Sequence, residues 1–329
     1  MSTIFLFWSN PPSFKATYSE WVSQELIFSQ LHILSLSAHQ KVGNRVVLYT
    51  YQRVNQWPFC DVELRDANDI YPSELAFAAL QLGHSIAHIS DLVRLSAAAQ
   101  RGGIVLDMDA VVLRKFPDIP SFFCTMPAKR KGQLAPQWGP KKPPMKVHDG
   151  SWDGKELTAF PIKIRKELSL HVKGLVNKIN LSLSKPPKSS GSAWNYVLWT
   201  VKDIARIDTK AKIYQPIYTC PVPSWLFKGK CYSLTYPSRM NGQDQIFGYT
   251  LPSVKEILSK SFCVQHFFES AFQNAPLKDS SFFKTVHPNS LLGQECRQVF
   301  GENWRKEILS LSLNAAPKPN FLFNGKRTA

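Results

Sequence analysis

Two aspartates one residue apart, Asp107 and Asp109, are the side chains whose spacing most directly indicates chemistry. They follow a short apolar run at residues 104–106 that is typical of a β-strand. Because successive side chains of a strand alternate between its two faces, both carboxylates project the same way. Carboxylate oxygens are ligands that Mg²⁺ and Mn²⁺ accept, with phosphate oxygens and water completing the coordination. The pair is therefore a candidate site for a divalent metal and a phosphorylated ligand.

The elements around this pair predict a fold that places it at a ligand-binding edge. Strand-like runs alternate with a helical pattern in the first third of the chain, which is typical of a βαβ unit and a largely parallel sheet. In such open sheets, ligands bind at the carboxyl ends of the strands. An isolated Asp-x-Asp is more often a surface turn, but a strand introduced by a Gly-Gly helix end favours a site. The predicted elements are strands over residues 3–8, 45–51 and 104–106 and helices over residues 20–38 and 85–101, and another apolar stretch follows over residues 110–113.

Residues 88–113, HISDLVRLSAAAQRGGIVLDMDAVVL, resemble the signature of glycosyltransferases that carry a DXD sugar-binding region. That signature has Ser-Asp-x-x-Arg on a helix, then Gly-Gly, a hydrophobic strand and Asp-x-Asp. The group includes bacterial surface-polysaccharide transferases, α-1,4 galactosyltransferases, α-1,6 mannosyltransferases and the catalytic domains of clostridial glucosylating toxins. The resemblance implies an α/β fold of the GT-A type, with a Rossmann-type, mostly parallel sheet flanked by helices. An additional C-terminal part would be helical and rich in loops.

The same resemblance implies roles for the residues of the signature. Asp109 would be the principal metal ligand, and Asp107 would contact the donor ribose or sugar and assist the metal. Asp91 and Arg94 lie three residues apart and so on one helical face. Together with Asp107 they would form the catalytic set, holding sugar hydroxyls and stabilising the departing diphosphate. Gly103 is expected among the donor-binding residues. The alternative for Asp91 and Arg94 is an ordinary surface ion pair.

Two further residues resemble elements of these enzymes outside the signature. Trp8 ends the opening strand, where an aromatic ring would stack on the uracil of the donor. A core tryptophan is the alternative. His266, in the segment CVQHFFESAF, resembles a late histidine that lies beside the metal and the diphosphate, which would make it a third metal ligand. Gln265 and Glu269 depart from the usual pattern there, and a packed, hydrogen-bonded histidine is the alternative.

Three polar residues are candidates for the acceptor side. Ser192 and Asn195 follow a Pro- and Ser-rich stretch, at the place of a loop that faces the acceptor in similar enzymes. Ser192 could instead simply cap the helix that begins there. Asp244 lies among amide side chains of the kind that bind sugar hydroxyls.

The implied reaction is a metal-dependent transfer of a sugar from a nucleotide sugar, expected to be a UDP-sugar, to a saccharide or glycolipid acceptor. Mn²⁺ or Mg²⁺ would be the cofactor, as the resemblance implies. Similar enzymes retain the anomeric configuration, as in bacterial surface-polysaccharide synthesis. No carboxylate of the sequence is distinguished as a nucleophile, so a front-face mechanism fits better than a double displacement. In that mechanism the leaving diphosphate helps to deprotonate the acceptor.

The composition is that of a folded enzyme with an excess of positive charge. The 329 residues are 44% hydrophobic and carry 40 Lys and Arg against 24 Asp and Glu, a formal net charge of +16. Such an excess favours a polyanionic partner. Without a recognisable nucleic-acid motif, we expect no specific nucleic-acid partner. A basic nucleic-acid-binding module, and a metal-dependent nucleotidyltransferase or phosphotransferase, remain the alternative functions.

The sequence predicts a cytoplasmic protein that is either soluble, with the positive charge aiding solubility, or peripheral on the inner face of the membrane. Its N-terminus lacks the features of a signal peptide, and no window approaches the roughly 20 apolar residues of a membrane span. The basic stretch 129–146 would contact an anionic leaflet, and the acceptor would be anionic or membrane-borne. Along the chain we expect a nucleotide-sugar-binding half over residues 1–125 and a mobile loop or insertion over residues 126–150. Residues 151–329 would form the acceptor-side half of the same catalytic domain.

Overall fold

A computed structural model gives the fold of most of the chain. The described residues are 2–13, 15–55, 57–127, 155–157, 160–187, 192–219, 221, 245–246, 249–250, 252–266 and 282–310.

Most strands of the described residues belong to one sheet, in the order β3-β2-β1-β4-β8-β6-β7, with β9 beside β6. The first four of these are mutually parallel, and β9 is parallel to β6, whereas β8 and β7 run antiparallel to their neighbours. Two short antiparallel pairs, β5 with β12 and β10 with β11, lie outside it. The strands are β1 (Thr3–Phe7), β2 (Arg45–Thr50), β3 (Val62–Asp66), β4 (Gly103–Val105), β5 (Ala110–Val112), β6 (Phe122–Pro127), β7 (Lys155–Leu157), β8 (Ile162–Ile164), β9 (Lys212–Tyr214), β10 (Gln245–Ile246), β11 (Tyr249–Thr250) and β12 (Cys263–Gln265).

Helices cover both faces of the sheet. The side chains of β1 alternate between the two faces, and both sets are apolar. Phe5 and Phe7 pack on the side of α4, α5 and α6. Ile4 and Leu6 pack on the side of α2. The described helices are α1 (Tyr18–Ser23), α2 (Gln30–Val42), α3 (Ser73–Gln81), α4 (Ile86–Arg101), α5 (Ser169–Leu183), α6 (Ser192–Ile207), α7 (Pro216–Thr219), α8 (Val254–Lys260), α9 (Phe282–Thr285), α10 (Leu291–Phe300) and α11 (Trp304–Ser310).

The C-terminal helices form a second core beside the sheet. Buried residues of α10 and α11 pack against α2 and against the β5–β12 pair. The Ser35 hydroxyl of α2 donates to the Ala110 carbonyl of β5 at 2.7 Å, which ties this pair to α2. The second core therefore supports the segment that follows the acidic motif.

The helix predicted over residues 20–38 is two helices. Thr17 caps α1 and Ser29 caps α2, and each side-chain oxygen accepts a hydrogen bond from the third residue of its helix. Between the helices, Leu26 and Phe28 are buried among the aromatic and aliphatic side chains below α2. Apolar spacing alone did not reveal the break, whereas the cap at Ser29 marks it.

The predicted fold class is confirmed: an α/β fold with a mostly parallel sheet flanked by helices, followed by a helical C-terminal part. The helix predicted over residues 85–101 is α4, which ends at Gly102 with a positive φ of 68°. The sheet joins strands from both predicted halves, since β8 lies between β4 and β6. Among the described residues, none of the helices is long and apolar enough to cross a bilayer.

Candidate functional site

Trp8 and Asp107 lie at the same edge of the sheet. Trp8 directly follows β1, and Asp107 comes two residues after the end of β4. These strands are parallel neighbours, paired through Phe5 and Val105, so their carboxyl ends meet. This is the edge at which open α/β sheets bind ligands.

A buried arginine links the helix α4 to the acidic motif. The Arg94 Nη2 group lies 2.6 Å from Asp91 Oδ1 and 2.6 Å from Asp107 Oδ1. The other guanidinium nitrogens donate to the carbonyls of Ser90 and Leu106. The Arg94 guanidinium thereby fixes the position of Asp107 relative to α4. We call Asp91, Arg94 and Asp107 the open cluster.

The open cluster is buried except at one end. The side chains of Arg94 and Asp91 are 2% and 5% exposed, whereas that of Asp107 is 23% exposed. The ring of Phe160 covers the guanidinium, whose carbon lies 4.4 Å from the ring centroid. Burial raises the pKa of Asp91 to about 7, although the charge of Arg94 opposes the rise. Asp91 and Arg94 are therefore not a surface ion pair, and only Asp107 extends from the cluster towards solvent.

The strand β12 supplies a second partner for Asp107. Gln265, its last residue, is opposite Ala110 in the antiparallel pair with β5. The side-chain amide of Gln265 donates to Asp107 Oδ2, while Arg94 donates to Oδ1. Both carboxylate oxygens of Asp107 thus accept hydrogen bonds from buried side chains.

Asp109 and His266 are brought together by the same strand pairing. The backbone N–H of His266 donates to the Asp109 carbonyl at 3.3 Å. The His266 ring contacts Glu295 of α10, with 2.7 Å between Nε2 and Oε2 and no exposed side-chain area on either residue. Burial raises the pKa of Glu295 above its usual value, and His266 opposes the rise. We call His266 and Glu295 the sealed pair.

Trp8 is half-buried and held from two sides. Its indole N–H donates to the Ile27 carbonyl at 2.8 Å. Its ring packs on His32, with 4.1 Å between ring centroids. Burial lowers the pKa of His32 to about 3, so this ring is uncharged at neutral pH. The indole is therefore oriented by the chain itself at the edge where Asp107 lies.

The other predicted contacts fall elsewhere. Gly103 begins β4, and a Cβ there would lie 2.6 Å from the Thr3 carbonyl, so close packing on β1 explains the glycine. Its position is at the opposite end of the strand from Asp107. Ser192 begins α6 and Asn195 lies in its first turn, but their side chains are outside the described part. Asp244 lies outside the described residues.

Three residues that contact the site carry no signal in the sequence. Gln265 was noted only as a departure from a pattern, and Glu295 was not noted at all. Each pairs with a residue far away along the chain, so no local spacing indicates it. Phe160, which covers Arg94, is a third such residue.

A cation at this site would depend on few protein ligands. Within the described ranges, no three His, Cys, Asp or Glu side chains form a group that could hold a metal. The acidic motif supplies hard carboxylate oxygens, and Asp109 is partly exposed. Mg²⁺ bound with nucleotides typically takes one or two carboxylates and completes its shell with phosphate oxygens and water. The donor set fits such a cation.

Comparisons with known proteins add a distant likeness of fold. No protein family and no curated protein matches the sequence of this chain. A solved structure titled "PaToxG Glycosyltransferase" aligns over 64% of this chain and 72% of its own, with a TM-score of 0.38 and 13% sequence identity. A likeness of this size carries no argument about the site, so the proposals below depend on residues and contacts.

Proposed function

We propose that this chain is a metal-dependent glycosyltransferase that transfers a sugar from a UDP-sugar to a saccharide or glycolipid acceptor. The observation that carries the proposal is the meeting of Trp8 and Asp107 at the carboxyl edge of adjacent parallel strands. An oriented aromatic ring offers a stacking surface for a base. Two carboxylates at the same edge suit a diphosphate and a cation.

Within this proposal, Asp107 and Asp109 have different tasks. Asp107 accepts hydrogen bonds on both oxygens, so its geometry is set by Arg94 and Gln265 before any ligand binds. Its exposed surface would contact the sugar or ribose of the donor. Asp109 is the principal ligand for Mn²⁺ or Mg²⁺. The cation would offset the charge that develops on the leaving diphosphate.

The role of Arg94 follows from its contacts. Its guanidinium is enclosed by protein and forms an ion pair with Asp107, whose side chain lies at the ligand-binding edge. It would reduce the repulsion between the acidic motif and an anionic diphosphate, and it needs no rearrangement during the reaction. Asp91 fixes the other side of the guanidinium.

We further propose that transfer retains the anomeric configuration by a front-face route. The leaving diphosphate then accepts the proton of the acceptor hydroxyl. Product analysis by NMR with an active donor distinguishes retention from inversion.

The charge of the chain supports an anionic or membrane-borne acceptor. Of the formal net charge of +16, a part lies in the basic stretch 129–146, which is outside the described residues. Each basic residue near an anionic leaflet contributes about 1 kcal/mol, and salt weakens the attraction. Sedimentation with phosphatidylglycerol-rich and neutral liposomes at low salt tests this point. Equal binding to both would contradict a membrane-borne acceptor held by charge.

A donor screen tests the proposed function. Purified protein is incubated with Mn²⁺ and a panel of UDP- and GDP-sugars, and nucleotide release and thermal shift are recorded. We expect one UDP-sugar to be hydrolysed slowly, with UDP and free sugar as products. Release of UMP or of a sugar phosphate would favour a nucleotidyltransferase or phosphotransferase. Binding of oligonucleotides with a steep salt dependence, and of no nucleotide sugar, would favour a nucleic-acid-binding module.

A further inference from the structure

We propose that Gln265 is a positioning residue, whose side-chain amide fixes the carboxylate of Asp107 in the orientation that the donor requires. This inference rests on the proposed function of the acidic motif. It assigns a task to a residue at the end of β12, which is separated from Asp107 by 158 residues along the chain.

The contact is made by a side chain that has no freedom to move away. Gln265 is 4% exposed, and the ladder between β12 and β5 fixes its backbone opposite Ala110. Its Nε2 group donates to Asp107 Oδ2. Only the amino group of the amide can face a carboxylate, because the amide oxygen is an acceptor, so this hydrogen bond also sets the orientation of the amide.

Two donors on two oxygens hold a carboxylate more firmly than one. With Arg94 alone, the Asp107 carboxylate could turn about its Cβ–Cγ bond within the range that its single hydrogen-bonded oxygen tolerates. The amide of Gln265 on the second oxygen removes that rotation. Removing a hydrogen-bond partner of a metal-site carboxylate typically lowers metal affinity or activity by about 10–100-fold.

The neutral amide also suits the charge of the site. Arg94 contacts Asp91 and Asp107, and the charge of Asp109 also acts on it. A carboxylate in place of the amide would put two acceptors of like charge within hydrogen-bond distance. A glutamine orients Asp107 without changing the charge that a cation or diphosphate meets.

The test compares Gln265→Met and Gln265→Glu with the control Gln298→Met. Gln298 of α10 donates its amide to the Leu113 carbonyl, just beyond the other end of β5, and contacts neither aspartate of the motif. Binding of UDP with Mn²⁺ is measured by calorimetry, donor hydrolysis gives kcat and KM, and melting temperature reports on folding. We expect either Gln265 variant to lose about 10–100-fold in UDP affinity or kcat/KM, and the control to lose less than about twofold.

A double-mutant cycle separates positioning from a general effect on structure. In an Asp107→Ala background, Gln265→Met should cost less than about threefold in UDP affinity, because its partner is gone. Equal losses in both backgrounds would overturn the inference, and so would full binding and activity of both Gln265 variants. If Gln265→Met does not fold, the isosteric Gln265→Glu decides by the same cycle. A wild-type protein that binds no UDP with Mn²⁺ would instead contradict the proposed function itself.

Discussion

The open cluster and the sealed pair both contact the acidic motif, but only one of them reaches the surface. In the open cluster, Arg94 is 2% exposed while Asp107 is 23% exposed. In the sealed pair, His266 and Glu295 have no exposed side-chain area. The first includes the side chain of Asp107, and the second meets the backbone of Asp109. One arrangement has a charged end available to a ligand, and the other has none.

This difference separates residues that bind from residues that support. A buried charge pair adds little stability over apolar packing, yet breaking it leaves an uncompensated charge and costs several kcal/mol. Both clusters should therefore matter for folding. Only the open cluster should matter for the reaction. The histidine expected beside the metal has its Nε2 directed at Glu295, which supports a role in holding the β5–β12 pair.

The largest effect is expected from breaking the open cluster with Arg94→Met. This substitution removes the guanidinium group that contacts Asp91 and Asp107. We therefore expect the free energy of unfolding to fall by about 3–5 kcal/mol and donor turnover to disappear. Urea denaturation followed by circular dichroism measures the first effect. The control is Arg206→Met, which breaks the ion pair with Asp203, also three residues apart but exposed. That change should cost less than about 1 kcal/mol. Equal losses in the two variants would contradict a buried, charged cluster.

Trp8→Ala tests whether the edge beside the open cluster binds a base. Loss of the stacking surface should weaken UDP binding by about 1–3 kcal/mol, measured by titration calorimetry. Trp57→Ala is the matched control, because the Trp57 indole also donates to a backbone carbonyl, that of Val62, the first residue of β3. Unchanged UDP affinity in Trp8→Ala, with a normal melting temperature, would place the base elsewhere.

Glu295→Gln probes the sealed pair with little change of shape. The amide changes the hydrogen-bond partner of the buried His266 ring, so the free energy of unfolding should fall by about 1–2 kcal/mol. Donor turnover by the folded variant should stay within about threefold of wild type. Glu302→Gln, which alters the exposed pair with Arg297, is the control. A tenfold loss of turnover at unchanged stability would assign the sealed pair to the reaction.

A dependence of stability on pH is expected from His39, a buried histidine of α2 outside both clusters. Burial lowers the pKa of His39 to about 3, whereas an unfolded histidine titrates near about 6.5. Between these values the unfolded chain binds a proton that the folded chain does not. Stability therefore falls with decreasing pH by up to about 1.4 kcal/mol per pH unit for this residue. His39→Leu should reduce the slope between pH 6 and about pH 4 by about one proton, with exposed His171→Leu as control. An unchanged slope would contradict the burial of His39.

The sequence predicted the parallel half of the sheet because its strands and α4 carry local patterns. The open cluster was foreseeable for the same reason, because Asp91 and Arg94 lie in α4 and Asp107 comes two residues after the next strand, β4. Gln265 and Glu295 were not foreseeable, because their contacts depend on the pairing of β12 with β5 and on the packing of α10. Such long-range contacts leave no periodicity in the sequence.

Turnover of the selected UDP-sugar by Asp109→Ala, compared with wild type at saturating Mn²⁺, tests the central claim most directly. The substitution removes the proposed metal ligand from a partly exposed turn and little core volume, so the fold should be retained. We expect turnover to fall by about 1000-fold or more, which corresponds to about 4 kcal/mol of lost transition-state stabilisation. A folded variant that keeps more than about a tenth of wild-type turnover, a loss of only about 1.4 kcal/mol, would contradict the assignment of the acidic motif.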